Sequence, residues 1–469
     1  MQLCGSYESG GRMFASRYPE ETRFAFRPGV TCMTTGAGAV LLKPPHSEKL
    51  ARLSAQQLTA LKALNLGPAT ATELAGAGAQ RREIDALIDH LATRGYLAVT
   101  VCAGGTDLYS LIPFGQPPPR PEPLPDGSTV ISKFAVLHSD STGLVLENPL
   151  GWCDVRIHQP RLLALLGGRA PDCPDLPPTV AAQFIDDLRW AGALVGPDDE
   201  TSFEAQSWTA PDLWFHRRST LGQRTVTWDD FGPTKWAKGR FPQPPGRRTP
   251  YPGEPIALPI PDLDARRTQD PSLAAVIEDR VTTRAFDDER PINAGQLGEL
   301  LYRTARTRST QAVDAGEELL SRPYPAGGGL YELEIYPVVR SVAGLEPGVY
   351  HYDSFEHALR PVATADAPAT SQLIRPAAAT LSGGAEPQVL LVIAARGGRV
   401  MWTYEQIAYA TILKNVGVLM QTIYLAATAM GLGVCAQGFS DTAAFTAATG
   451  VDERQECSVG SIIVGSRIP

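Results

Sequence analysis

The stretch Arg322-Pro-Tyr-Pro-Ala-Gly-Gly-Gly-Leu-Tyr-Glu-Leu-Glu-Ile-Tyr-Pro337 sets the reading of the C-terminal half of this chain. Two prolines, Pro323 and Pro325, stand before three consecutive glycines, Gly327 to Gly329. An alternating apolar run follows, Leu330, Leu333, Ile335 and Val338. Proline fixes the backbone entering a turn, and glycine lets main chain approach a ligand with no Cβ in the way. The residues allow two readings, a structural turn or a stiff, bare loop against which a flat cofactor lies. The segments on either side decide between them.

Upstream, Leu273, Val276 and Ile277 form a helical face that leads into Arg280-Val-Thr-Thr-Arg-Ala-Phe286. Arg280, Thr282 and Arg284 alternate, so an extended segment points all three to one side. Two guanidiniums and a hydroxyl converging there make a clamp for a phosphate or a polar ring. Asn293 and Gln296 cap a helix carrying Leu297, Leu300 and Leu301. Downstream, strands are expected at Gly348–Tyr352, Val389–Ile393 and Ser461–Val464, the last leading to Arg467. The longest element is expected from about Thr403 to Met430, apolar nearly all round through Ile407, Ile412, Leu413, Val416, Leu419, Ile423 and Leu425. Such a helix is buried, centrally or between subunits. It ends in Gly431-Leu-Gly433.

Three motifs therefore follow one another: Arg-x-Thr-x-Arg-x-Phe, Arg-Pro-Tyr-Pro-Ala-Gly-Gly-Gly, and Ile407-Ala-Tyr through Met430-Gly-Leu-Gly433. In this order and spacing, residues 271–469 resemble the SagB-type dehydrogenases, the azoline oxidases of the nitroreductase superfamily. The resemblance implies an α+β, nitroreductase-like domain that binds flavin mononucleotide (FMN), and a homodimer with flavin at the subunit interface. It implies that Arg280, Thr282 and Arg284 hold the phosphate and ribityl chain, with Arg467 also at the phosphate. Pro325, Ala326, Gly327 and Gly328 would line the isoalloxazine. Gln421 with Gly431, Leu432 and Gly433 would complete the pocket.

Members of that family oxidise thiazolines and oxazolines in ribosomally produced peptides to aromatic azoles. The α hydrogen of such a ring is acidified by the adjacent imine and carbonyl, so a positioned base can remove it. The flavin supplies the redox chemistry and the protein supplies orientation. Many relatives carry a Lys-Tyr pair for the proton step. The matching positions here are Thr403 and Tyr404, so the tyrosine is present and the lysine is not. Lys414 is no obvious substitute. A tyrosine with its ordinary pKa near ~10 is a poor base at neutral pH unless its surroundings lower that value.

The N-terminal half reads differently. Ser54 and Gln57 form a capping box ahead of Leu58, Leu61 and Leu64, and Thr70 and Glu73 form another before Leu74. A third helix carries Ile84, Leu87, Ile88 and Leu91, and Gly95 turns it into the strand Tyr96–Val99. Three helices and a β-ribbon form a winged helix-turn-helix pattern. A second module repeats the design. Leu162, Leu163, Leu165 and Leu166 end at Gly167-Gly168, and a helix with Phe184, Ile185 and Leu188 turns at Gly192 into a strand. Both junctions read Leu-x-x-x-Gly-x-Leu: Leu91, Gly95, Leu97 and Leu188, Gly192, Leu194. Between them, Pro117 to Pro125 is a proline-rich, extended connector.

Arg81 and Arg82 open the third helix, but Glu83, Asp85 and Asp89 stand beside them. Phosphate binding needs an excess of cations on the reading face, so peptide or partner docking is the better reading than DNA. The chain's net charge of -8 points the same way, away from nucleic acid and anionic membrane. No uncharged apolar run is long enough to span a bilayer, and the start, with Glu8, Arg12 and Arg17, has no signal-peptide core. Seven scattered cysteines without a Cys-x-x-Cys pair suit a reduced cytoplasm without structural disulfides or a metal site.

The expected organisation is a winged-helix-like module over 1–115, a second over 116–204, a linker over 205–270 and the FMN domain over 271–469. The linker holds Trp208, Trp214, Trp228 and Trp236 with Arg217, Arg218, Arg224, Arg247 and Arg248, opposed by Asp229 and Asp230. It reads as a solvated connector wrapped over its neighbours, or as a cationic surface beside a site for an anionic ligand. Three functions fit: a dehydrogenase acting on a modified precursor peptide, docked directly or through a cyclodehydratase; a flavin oxidoreductase acting on a small molecule; and a scaffold that keeps the fold without turnover.

Overall fold

The computed structural model describes residues 14–35, 38–43, 46–76, 81–122, 128–167, 176–220, 232–313 and 317–468. Glu8, Arg12, Pro125, Gly168, Arg224, Trp228, Asp229 and Asp230, singled out above, lie outside the described residues. The chain divides into two compact units, Met1–Thr227 and Trp228–Pro469.

In the first unit both capping boxes form as expected. Ser54 starts the helix Ala55–Leu66 and Thr70 starts Ala71–Ala75. The third helix, Arg81–Thr93, buries Ile84, Leu87, Ile88 and Leu91. It leads into the hairpin of Leu97–Ala103 and Thr106–Pro113. The two Leu-x-x-x-Gly-x-Leu junctions adopt one geometry. Gly95 and Gly192 take φ of 69° and 75°, a left-handed conformation that glycine adopts without steric cost. Each closes the same pair of bonds: Tyr96 N–H to Leu91 O at 2.9 Å with Gly95 N–H to Ala92 O, and Ala193 N–H to Leu188 O at 2.8 Å with Gly192 N–H to Arg189 O.

The second module departs from the expected copy. Its first apolar run winds as a 3₁₀ helix, Pro160–Gly167, and the strand after Gly192 is only Leu194–Val195, paired with Val130–Ile131. Its longer strands join the sheet of the first module instead. The order is Ala69–Thr70, Arg23–Phe26, Leu97–Ala103, Thr106–Pro113, Cys153–Ile157, Gly143–Glu147, Val136–Asp140. One core, including Leu91, Leu97, Val155, Phe184 and Leu188, serves both modules.

The second unit is built on an antiparallel seven-stranded sheet: Ile256–Ala257, Ala358–Thr364, Gly348–Asp353, Leu333–Val339, Val389–Ala395, Cys457–Ser466, Leu432–Gln437. Leu333–Val339 is buried at every position, so the alternating pattern read for it does not mark an exposed face. The expected linker is partly structure of this unit. Its strand Ile256–Ala257 pairs with Ala358–Leu359. Arg247 bonds Asp353 and Glu356 at 2.7 and 2.6 Å, and Arg248 bonds Glu456 at 2.9 Å. Its cations are drawn to carboxylates of the domain, which no local pattern shows.

The longest element is also corrected. A short helix, Gly398–Thr403, ends at Tyr404 in extended conformation, and the long helix is Ala408–Ala429. The polar pair Glu405-Gln406 occupies the exposed break. By length and composition Ala408–Ala429 is the one helix among the described residues that could cross a bilayer, and it carries the charge of Lys414. Ile412, Val416, Leu419 and Ile423 are buried, but Leu413 and Val418 are not. Among the described residues the helix is therefore covered on one side only.

Candidate active site

The glycine loop turns tightly through Gly328 and Gly329, at φ of 62° and 66°. Tyr331 follows at φ 49°, a left-handed conformation that costs an ordinary residue about 1–2 kcal/mol. Its surroundings hold it there. The Tyr331 hydroxyl donates to Tyr324 O at 2.8 Å, and the two rings meet edge to face at 5.3 Å. Arg322 is buried and donates to Leu333 O at 2.7 Å, while its Nε and second Nη, and the Tyr324 hydroxyl, make no well-aligned hydrogen bond among the described residues, although the two side chains lie against each other. The two prolines and three glycines thus enter a turn that is fixed from beneath.

The long helix supplies a side chain that sequence reading missed. Asn415 accepts from Gly327 N–H at 3.2 Å and donates to the Glu332 carboxyl at 3.0 and 3.3 Å. Glu332 is fully buried, and burial pushes its carboxyl above the ordinary range against the opposing bond from Asn415. The only local signal for Asn415 is a polar residue on the apolar side of a helix. A Cβ added at Gly327 would lie 2.5 Å from Thr411 Cγ2 and 4.0 Å from Tyr404 Cε2. Glycine is therefore required there, and the Tyr404 ring lies beside the bare loop. The break before the long helix puts it there, with Tyr404 N–H bonded to Val400 O at 2.7 Å. Burial raises the Tyr404 phenol above its usual 10.0, so it stays protonated at neutral pH. The Thr403 hydroxyl is buried without a hydrogen-bond partner among the described residues, and Lys414 is exposed on the long helix.

At the other end of that helix the clamp assembles in part. The Thr282 hydroxyl lies 3.2 Å from the Tyr424 hydroxyl, and the Arg280 guanidinium sits over the Tyr424 ring at 5.5 Å. Tyr424 also accepts from Ala436 N–H at 2.9 Å. Thr283 N–H bonds Val434 O at 2.8 Å, an approach that needs Gly433, where a Cβ would lie 2.8 Å from Thr283 Cγ2. Arg467 joins the same edge by donating to Leu432 O at 3.1 Å. The Arg284 carbonyl is held by Ser382 N–H, and its side chain is exposed. Gly431 turns the chain at φ 72°. Pro325 is exposed and Ala326 half-buried. Gln421 stands on the exposed face of the long helix, and no contact joins it to the loop or the clamp among the described residues.

Arg280, Arg284 and Arg467 pair with no carboxylate among the described residues. Between Asn415 and Tyr424 the helix rises roughly 14 Å. The arrangement suits a ligand that is flat at the glycine end and anionic at the other. Tyr424, like Asn415, was missed because it reads as one more core residue of an apolar helix.

Residues 277–466 are matched by the model of the nitroreductase family. The second unit has the nitroreductase-like fold, of mixed helix and sheet, that was read from the sequence. Methanocaldococcus jannaschii MJ1384, a nitroreductase by name, is 27% identical over 186 residues, 40% of this chain and 85% of that one. The microcin B17-processing protein McbC of Escherichia coli is 32% identical over 120 residues. That match takes in 24% of this chain and 42% of McbC, less than half its length. Among solved structures, the Escherichia coli McbBCD microcin synthetase complex with truncated pro-MccB17 aligns at 22% identity and TM-score 0.32, over 41% of this chain and 72% of that one.

Proposed function

We propose that this chain is an FMN-dependent dehydrogenase that oxidises thiazoline or oxazoline rings to azoles in a ribosomally produced peptide. The observation that supports the reading is the Tyr404 ring beside the bare Gly327 main chain, with Arg280 and Arg467 near the other end of the long helix and paired with no carboxylate among the described residues. The similarity to a microcin-processing protein supports it. When bound, FMN supplies the two-electron acceptor for the ring. The chain does the rest. Arg280, Thr282, Arg284 and Arg467 hold the anionic end, and the turn held by Asn415 gives the flat end a fixed wall.

Tyr404 takes the α proton of the ring at its phenol oxygen. Because burial keeps that phenol protonated, only a small ionised fraction acts at neutral pH. The sign follows: the active form grows as pH rises. Turnover on a cyclised peptide therefore climbs about tenfold per pH unit between roughly pH 7 and 9. Tyr404→Phe flattens that limb and slows azole formation. An unchanged rate in this variant removes Tyr404 from the mechanism.

The exposed apolar residues Tyr409, Leu413 and Val418 on the long helix, with Leu273 and Ile277 upstream, support a homodimer in which a second copy covers them. The first unit serves as the docking module for the precursor peptide or a cyclodehydratase in the cytoplasm. Its Arg81 is already bound to Asp85 at 2.8 Å, which leaves the third helix poor in cations for nucleic acid. MJ1384, matched over 85% of its length, favours a second reading, a small-molecule flavin oxidoreductase. Binding of the precursor peptide to the full chain separates the two, and a bound yellow cofactor bleached by reductant separates both from a scaffold.

A further inference from the structure

The second unit has a cleft of about 500 Å³ between the Pro244–Thr249 segment, the Arg396–Arg399 turn and the loop before Glu456. That volume falls in the ~300–1,000 Å³ range of small-molecule sites. Arg248, Arg396, Arg399 and Arg454 line it against a single carboxylate, Glu456. Two of the cations are neutralised. Arg248 pairs with Glu456 at 2.9 Å, and Arg454 pairs with Asp452 at 2.6 Å.

Arg396 forms a longer ion pair with Glu334, at 3.4 Å, and Arg399 forms none among the described residues. Arg399 is fully buried and donates to Leu330 O at 2.8 Å, to Glu318 O at 3.0 Å and to Pro244 O. All three are neutral carbonyls, and Arg399 has no ion pair among the described residues. Arg396 donates to Pro245 O at 2.6 Å and Gly246 O at 3.0 Å, and reaches the Glu334 carboxylate only at 3.4 Å. His351 already lies 3.1 Å from that carboxylate. Carbonyls satisfy the hydrogen bonds of a guanidinium without cancelling its charge. Burial and the neighbouring Arg396 accordingly push Arg399 down to about 10.

We propose that this cleft binds a small oxyanion, a phosphate or carboxylate group, with Arg396 and Arg399 at its floor and Arg248 and Arg454 at its rim. Oxygen pairs at guanidinium forks are the matching chemistry. None of the residues that line it belongs to the Arg280 clamp, and it lies across Arg399 from the closing residue of the glycine turn, Leu330. Occupant and turn therefore share one guanidinium.

The test is arginine modification of the full-length protein by phenylglyoxal, read site by site by mass spectrometry. Chloride, inorganic phosphate and malonate are compared at equal ionic strength. Arg454 reports on the rim, and Arg267 is the control, with side chains 86% and 82% exposed. Saturating phosphate or malonate is expected to slow modification of Arg454 by about threefold or more and leave Arg267 unchanged. Protection by phosphate alone assigns a phosphoryl ligand, and protection by malonate alone a carboxylate. Equal modification of Arg454 in all three salts overturns the proposal. Arg396→Gln should abolish the protection, and protection that persists in this variant overturns the assignment of the floor. The wild-type comparison decides alone if that variant does not fold.

Discussion

Asp187 in the first unit and Glu332 in the second are both carboxyls cut off from water, and burial pushes both above the ordinary range. Their surroundings differ. Asp187 accepts from Tyr109 and Arg120, both at 2.7 Å, from Gln183 at 3.2 Å and from Tyr18 at 3.3 Å. Arg120 in turn stacks 4.1 Å over Trp190, whose indole N–H bonds Pro118 O. The network is closed and fastens the proline-rich connector to a helix. Glu332 has one side-chain donor, Asn415, which passes its effect on to a loop amide. Around that loop, Arg322, Tyr324 and Thr403 keep buried atoms without a well-aligned hydrogen bond among the described residues. Closed polar networks fix architecture, whereas unfinished ones mark places where a ligand completes the bonding.

Substitutions can break this contrast. Asp187→Ala strands Arg120 and is expected to cost about 3–5 kcal/mol in chemical denaturation, the largest effect. A cost below about 1 kcal/mol would show that the network is not architectural. Asn415→Ala leaves Glu332 and the Gly327 amide unpaired, for about 1–3 kcal/mol. Its sharper signature is flavin content, because the purified variant should hold less flavin per chain than wild type. Equal flavin content would detach Asn415 from the site. Ser54→Ala removes one helix cap of the first unit, costs about 1 kcal/mol and leaves flavin content unchanged.

Much of this was legible in the sequence because it is local. The capping boxes at Ser54, Thr70 and Asn293 and the turns at Gly95 and Gly192 depend on residues a few positions apart. The glycine loop and Arg280-Val-Thr were read as a candidate site on the same local ground. What stayed hidden depends on partners distant in sequence. Arg248 finds Glu456, the second module lends strands to the first, and Asn415 finds Gly327. The break at Tyr404 was hidden because apolar residues continue on both sides of it, so the periodicity reads as one helix.

The central claim is the chemistry at the Gly327 turn. The direct measurement is the mass of a cyclised precursor peptide after incubation with the flavin-loaded protein under exclusion of oxygen, followed together with flavin absorbance. The account predicts that each azoline ring converted loses two hydrogens and that flavin bleaches in step. Flavin that bleaches with a small-molecule reductant while the peptide mass stays unchanged would contradict it.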